Sequence, residues 1–391
     1  MTTGLVDHKQ VIFNFSKRLF ESFISKKENI REFLKPHNTP ILIIDIEGVK
    51  KNYRRLIKAF ENFKVFYAVK ANDAECIIEA LSSEGAGFEV ASVSELEKVL
   101  LFCKEPTRII SSNPVKPPDF IAVSYERGID MFAVDSFSEV DKISSIAPRS
   151  RIYVRLSVPN EGSDWPLHGK FGVDRDTAVE ILEYAREKKL IPYGITFHVG
   201  SQCNNLRNWF IAVKYASETW EKAKAKGIRL RMLNMGGGIP VTYLYKTISA
   251  EDIAYYIKGL LRKYMSSVPP ELYIEPGRGL VGDKGIMVTR VIGKAERDGN
   301  KWIYIDTGVF NGLAETLGGI RYPFYIEKEG KLYEWTIGGI SCDSMDVIAK
   351  DVPLPEPEIG DYLYILSAGA YTTVYASHFN GFSPPEVLCL I

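Results

Sequence analysis

The chain has 391 residues, 46% of them hydrophobic, and its 49 Lys and Arg equal its 49 Asp and Glu, so the formal net charge is zero. That length accommodates one large domain or two ordinary ones with a substantial core, and balanced charge without a long single-sign block argues against nucleic acid as the main partner. No stretch approaches the roughly 20 apolar residues of a membrane span, and the first residues show no signal-peptide pattern, so the reading is a cytoplasmic protein with no membrane partner.

In chain order, residues 9–35 carry Val11, Phe13, Phe15, Leu19, Phe20, Phe23 and Ile24 in an amphipathic helical pattern that Thr39-Pro40 brings to a stop. Short β-branched runs then alternate with charged helical periods: "ILIIDI" before "EGVKKNYRRLIKAF", "VFYAVKA" before "AECIIEALSSEG", "GFEVAS" before "SELEKVLLF", "RIISS" before "PPDFIAVSYERG". "DMFAVDS", "RIYVRLS", "YGITFHVG", "RMLNMGGG" and "LYIEPG" continue the series. Seven or eight such units over about 240 residues predict an α/β fold of (β/α)8 barrel type. After about residue 285 the pattern changes to strands and turns, which predicts a second, mainly β domain.

In a barrel, side chains at the C-terminal strand ends converge, which would bring Lys70, Glu89, His198, Gly236 to Gly238 and Glu275 together. Lys70 ends an apolar run and reads either as a salt-bridged lysine or as a Schiff-base lysine. The glycines of "NMGGGIP" read as a tight turn or as a loop whose backbone amides approach a phosphate. In "IEPGRG", Glu275 and Arg278 either pair with each other or take separate partners, a protonated ring nitrogen and a phosphate. His198, followed by Gly200 and Ser201, offers a flat ring at a strand end. "SCDSMD" contributes Cys342, Asp343 and Asp346, and "AGAYTTVY" contributes Tyr371. Five scattered histidines have no ligand spacing, so no metal is expected, and the five cysteines (Cys76, Cys103, Cys203, Cys342, Cys389) form no even disulfide framework, which suits a reducing compartment.

Taken together, "FYAVKAN", "FEVAS", "KFGV", "FHVGSQ", "GGGIP", "EPGRG", "CDSMD", "GAYT" and "FNGF" resemble, in order and spacing, the fold-type III pyridoxal-phosphate decarboxylases of ornithine, lysine, arginine and diaminopimelate. "VPNEGSDWPLHGKFGV" and "DTGVFNGLAET" look most like the bacterial ornithine/lysine branch. The resemblance implies an alanine-racemase-like barrel over residues 41–284. A β domain is implied from residues 285–391, joined by the N-terminal segment 1–40. It implies pyridoxal 5'-phosphate carried on Lys70, with His198 on the ring face. Ser201, Gly236, Gly237, Gly238, Arg278 and Tyr371 would hold the phosphate, and Glu275 would keep the ring nitrogen protonated. Cys342 resembles the family's proton donor to Cα, and Asp343, with Glu315 and Tyr322, would meet the substrate. The Cys-Asp segment of this family reaches the neighbouring subunit, so a homodimer with shared sites is implied.

The implied reaction is decarboxylation of a basic L-amino acid of ornithine or lysine type to a di- or polyamine. Gly318 and Gly319 stand where relatives commonly carry acidic residues, so a larger or conjugated amino acid from a siderophore or natural-product route is the alternative expectation. An amino-acid racemase and a non-catalytic homologue are further alternatives, against which Glu275, the Cys-Asp motif and the complete set of cofactor residues argue.

Overall fold

The computed structural model describes residues 7–24, 30–167 and 169–390. It divides into one unit of residues 49–240 and 247–280 and another of residues 1–48, 241–246 and 281–391. Among the described residues no helix is long and apolar enough to cross a membrane.

The first unit is a parallel barrel. Its eight strands, in spatial order, are Ile109–Ile110, Gly87–Glu89, Phe63–Ala68, Glu271–Ile274, Met232–Asn234, Ile191–Thr196, Arg151–Arg155 and Met131–Val134. A parallel bridge between Ser111 and Phe132 joins the two ends of this series, so the sheet closes on itself. Phe66, Ile110, Met131, Ala133, Tyr153, Tyr193, Met232 and Tyr273 fill the interior. Side chains from seven of the eight strands thus make a packed core rather than a pore.

Local chemistry starts the helices that wrap the barrel. Ser92, Ser136, Asp174, Asn205 and Ser249 are N-caps whose side chains accept backbone N–H groups of the first turn. At this first turn the Glu95 amide donates to Ser92 Oγ, and the Glu95 carboxylate reaches back one residue past the cap to accept the Ala91 amide at 2.7 Å.

The second unit is built on a mainly antiparallel sheet in the order Phe324–Tyr325, Tyr362–Ile365, Gly285–Arg297, Asn300–Ile305, Tyr333–Gly338 and Val347–Leu354. Within this unit the helix His8–Ile24 packs Phe20 against Tyr325 and Tyr364, with ring centroids 4.8 and 4.4 Å apart. A second short helix spans Ile30–Leu34; residues 25–29 of the expected N-terminal helix lie outside the described residues.

One strand departs from the sequence pattern. Ile41–Asp45, which the alternation places in the barrel, pairs antiparallel with Gly285–Arg297 and parallel with Glu386–Leu390. All five of its residues are buried. A fully buried strand reads alike in any sheet, and only distant partners decide which one it joins.

Cys103 and Cys203 are buried free thiols and Cys342 is an exposed one.

Candidate active site

Polar residues gather at the C-terminal ends of the barrel strands. Glu89, Arg155 and Asn234 are the last residues of their strands, Glu275 follows Ile274 directly, and Lys70 stands in the single turn Val69–Ala71 after Phe63–Ala68. Ser112 and His198 lie two residues beyond Ile110 and Thr196. Seven strands thereby contribute to one rim, which is where a parallel barrel presents its chemistry.

Lys70 pairs with Glu89 at 2.8 Å, its side chain 47% exposed while that of Glu89 is 1% exposed. The turn lifts its side chain past the strand, and a buried carboxylate holds it. Glu275 is buried and accepts hydrogen bonds on Oε1 from Ser112 Oγ and from Asn234 Nδ2. Burial and the neighbouring Glu89 carboxylate push the Glu275 carboxyl well above the usual range, against the opposing pull of Lys70.

His198 takes the Gly200 amide on Nδ1 at 3.0 Å, so its ring hydrogen sits on Nε2. Desolvation, with Arg155 and Lys70 nearby, drives its pKa well below that of a free imidazole, and the ring is neutral at physiological pH. Arg278 is buried and donates from Nε and Nη2 to Ser201 Oγ at 3.3 and 3.2 Å.

The glycine run has no room for side chains. A Cβ on Gly237 would lie 2.8 Å from the Glu275 carbonyl oxygen and 3.0 Å from His198 Nε2, and one on Gly238 would lie 2.7 Å from Val199 Cγ2. Gly236 and Gly238 also have φ of +62° and +103°. Bare backbone beside a flat neutral ring, a buried guanidinium held by a serine, a buried carboxylate and a lysine on the rim together fit an aldehyde-bearing pyridine phosphate. Glu95 adds another carboxyl near Glu89, pushed up to about 7 by burial and by that neighbour.

Cys342, Asp343, Glu315, Tyr322 and Tyr371 belong to the second unit. Cys342 and Asp343 are exposed in the turn between Tyr333–Gly338 and Val347–Leu354. Asn380 Oδ1 accepts both the Cys342 amide at 3.1 Å and its thiol at 3.3 Å. Asp346 is the buried anchor of this turn, taking the amides of Val309 at 2.7 Å and Ser341 at 2.9 Å. Glu315 is buried in the 3-10 turn Ala314–Gly318. Tyr322 is buried and meets Tyr243 edge-on at 5.5 Å, and Tyr371, at φ +55°, lies 5.8 Å from the Tyr375 ring.

Gly319 caps that 3-10 turn with φ +96° and donates its amide to Thr316 O. The backbone accounts for this glycine, whatever the substrate.

The sequence reading missed Ser112, Asn234, Tyr153 and Arg155. Their signal was position: Asn234 stands two residues before Gly236, and Ser112 follows the run "RII", both at strand ends where a barrel site forms.

A parallel barrel that gathers these groups on its C-terminal rim defines a pyridoxal-phosphate enzyme of barrel type. Comparison with known proteins narrows the class. The family described as pyridoxal-dependent decarboxylase, pyridoxal binding domain, matches residues 46–282. A lysine/ornithine decarboxylase of Selenomonas ruminantium is 31% identical over 361 residues, covering 92% of this chain and 91% of its own. Antizyme inhibitor 2 of Xenopus laevis is 32% identical over 363 residues, covering 88% and 79%. The crystal structure of the Paramecium bursaria Chlorella virus arginine decarboxylase bound to agmatine superposes with a TM-score of 0.87 at 27% identity, over 92% of this chain and 99% of that one. The chain belongs to the pyridoxal-dependent decarboxylase family and is a pyridoxal-phosphate-dependent amino-acid decarboxylase.

Proposed function

We propose that the chain decarboxylates a basic L-amino acid of ornithine or lysine type to the corresponding diamine, with pyridoxal 5'-phosphate carried on Lys70. Relatives that act on lysine, ornithine and arginine support a basic substrate.

The observation that carries the reading is Glu275, a buried carboxyl held on one oxygen by two neutral donors. When bound, pyridoxal phosphate supplies the electron sink for the carbanion that departing carbon dioxide leaves at Cα. Glu275 holds the proton on the ring nitrogen, which deepens that sink, and a carboxyl whose pKa burial has raised shares a proton readily. This role favours decarboxylation over racemisation. The neutral His198 ring covers the cofactor face without adding charge. Arg278, Ser201, the bare amides of Gly236 to Gly238 and Tyr371 receive the phosphate.

Cys342 delivers the proton to Cα after carbon dioxide leaves, with Asn380 aiming its thiol. Asp343, Glu315 and Tyr322 receive the distal ammonium. The exposed tip that carries Cys342, Asp343 and Met345 supports a site completed by a second copy of the chain. The positive φ of Gly319 accounts for that glycine alone, and a decarboxylase of a larger, conjugated amino acid is the second reading.

The test is carbon dioxide release from L-ornithine, L-lysine, L-arginine, meso-diaminopimelate and L-2,4-diaminobutyrate by the loaded protein, with products identified by mass spectrometry. Release from ornithine or lysine with the matching diamine is expected. Negligible release from all five would overturn the substrate assignment.

A further inference from the structure

Four polar side chains around Lys70 and Glu275 have no assigned role: Glu89, Ser112, Tyr153 and Asn234. Ser112 Oγ donates to Glu275 Oε1 and lies 2.7 Å from the Tyr153 hydroxyl. Because the serine hydrogen goes to the carboxylate, the tyrosine must donate to the serine. Asn234 Nδ2 donates to the same Oε1 at 2.5 Å. Two donors on one oxygen fix the carboxyl plane, since turning the last side-chain torsion would break both bonds.

Both donors are themselves held. Asn234 Oδ1 accepts the Gly236 amide at 2.9 Å, and the Glu275 amide donates to the Gly236 carbonyl at 2.8 Å, so the asparagine ties the glycine loop to the carboxylate. The Ser112 amide donates to Glu89 Oε1 at 3.3 Å, while Glu89 Oε2 holds Lys70. Behind Ser112 the loop is pinned by Lys116. This fully buried lysine donates to the carbonyls of Asn113 at 2.9 Å and Ala133 at 2.6 Å and pairs with Glu139 at 3.0 Å. A continuous polar chain therefore runs from the lysine through Glu89 and Ser112 to Glu275, and on through Asn234 to the glycine loop.

We propose that Ser112 and Asn234 are positioning residues that lock one oxygen of Glu275 so that the other is presented to the ring nitrogen of bound pyridoxal phosphate. The proposal rests on the role given to Glu275 above.

The test compares Ser112→Ala, Asn234→Ala, Ser112→Thr, Glu275→Gln and the double variant Ser112→Ala/Glu275→Gln as cofactor-loaded proteins. Four quantities are read: kcat and KM with L-ornithine or L-lysine, the absorbance spectrum of the bound cofactor, and the dissociation constant of pyridoxal phosphate. Each alanine variant should lower kcat about tenfold with KM for the amino acid within about twofold, the loss expected for one charge-assisted hydrogen bond. It should shift the cofactor spectrum in the direction of Glu275→Gln, and Ser112→Thr should restore both. The double variant should be no worse than Glu275→Gln alone, since the serine acts through a carboxylate that is already gone. Full additivity in the double variant, or an unchanged kcat and spectrum in Ser112→Ala, would overturn the proposal. If Glu275→Gln itself leaves kcat and spectrum at their original values, the role of Glu275 fails, and that failure is distinguishable from the first two.

Discussion

Glu271 opens the short strand Glu271–Ile274 and Glu275 follows its last residue, and the barrel drives the two carboxyls in opposite directions. Glu271, at the N-terminal end, is partly buried, which by itself would raise its pKa. The hydroxyls of Tyr193 and Tyr273 and the ammonium of Lys64 more than offset that and lower it to about 2. Glu275, at the C-terminal end, is buried with two neutral donors and faces the Glu89 carboxylate, and it is pushed up. The same residue type is thus a structural anion at one end of the strand and a readily protonated group at the other. Environment decides, and in a parallel barrel the end with function is the one where the loops converge.

Four substitutions separate the two ends, beginning with the largest effect. Lys70→Ala should abolish covalent retention of pyridoxal phosphate after borohydride treatment, with amine formation down at least about a thousandfold. Mass spectrometry of the treated protein reads the first, and a cofactor still trapped on the variant would defeat the assignment.

Glu275→Gln should cost roughly a hundredfold or more in kcat while sparing the fold. A carboxyl whose folded pKa is raised is stabilising in its protonated form, so its contribution fades as pH rises from the usual carboxylate range toward the raised value. Above that value the glutamine variant should melt at the same temperature as the parent or higher. A large drop in melting temperature at alkaline pH would mean that Glu275 is a structural anion like Glu271.

Cys342→Ala should slow amine formation about ten- to a hundredfold and divert part of the turnover to protonation on the cofactor, yielding aldehyde and pyridoxamine phosphate. Product analysis checks this, and a clean amine at the parent rate would remove the thiol from the mechanism.

Glu271→Gln should have the smallest effect on catalysis, within about twofold, because it lies at the end without chemistry. Its effect should appear in acid. A carboxylate with a depressed folded pKa stabilises the protein above its unfolded value near 4.5, and that contribution is lost as pH falls toward about 2. Acid unfolding followed by circular dichroism should show the parent losing stability across that window and the variant losing less. Equal acid sensitivity would mean that other carboxylates govern the transition.

Much of this was legible in the order of residues. The alternation of β-branched runs with charged helical periods indicated the barrel, and the loss of helical periodicity after about residue 285 indicated the β unit. Lys70, His198, the three glycines and Glu275 stood out because the alternation places them all at C-terminal strand ends, where a barrel gathers its chemistry. What escaped had no local signal beyond its position at a strand end. Ser112 and Asn234 are ordinary polar residues until the closed ring brings Ile110 and Met232–Asn234 to the same rim. Lys70 has the same apolar neighbours in sequence whether or not Glu89 reaches it.

By itself, then, the sequence determined periodicity, caps and the presence of particular chemical groups, because those depend on residues within a turn or two of one another. The tertiary structure alone decided which sheet the all-buried strand Ile41–Asp45 joined, which of two glutamates four residues apart has its pKa raised and which has it lowered, and that Gly319 closes a left-handed turn. Each of these depends on groups far apart in the chain or on a backbone angle, and pairing, desolvation and φ come into being only when the chain has closed around them.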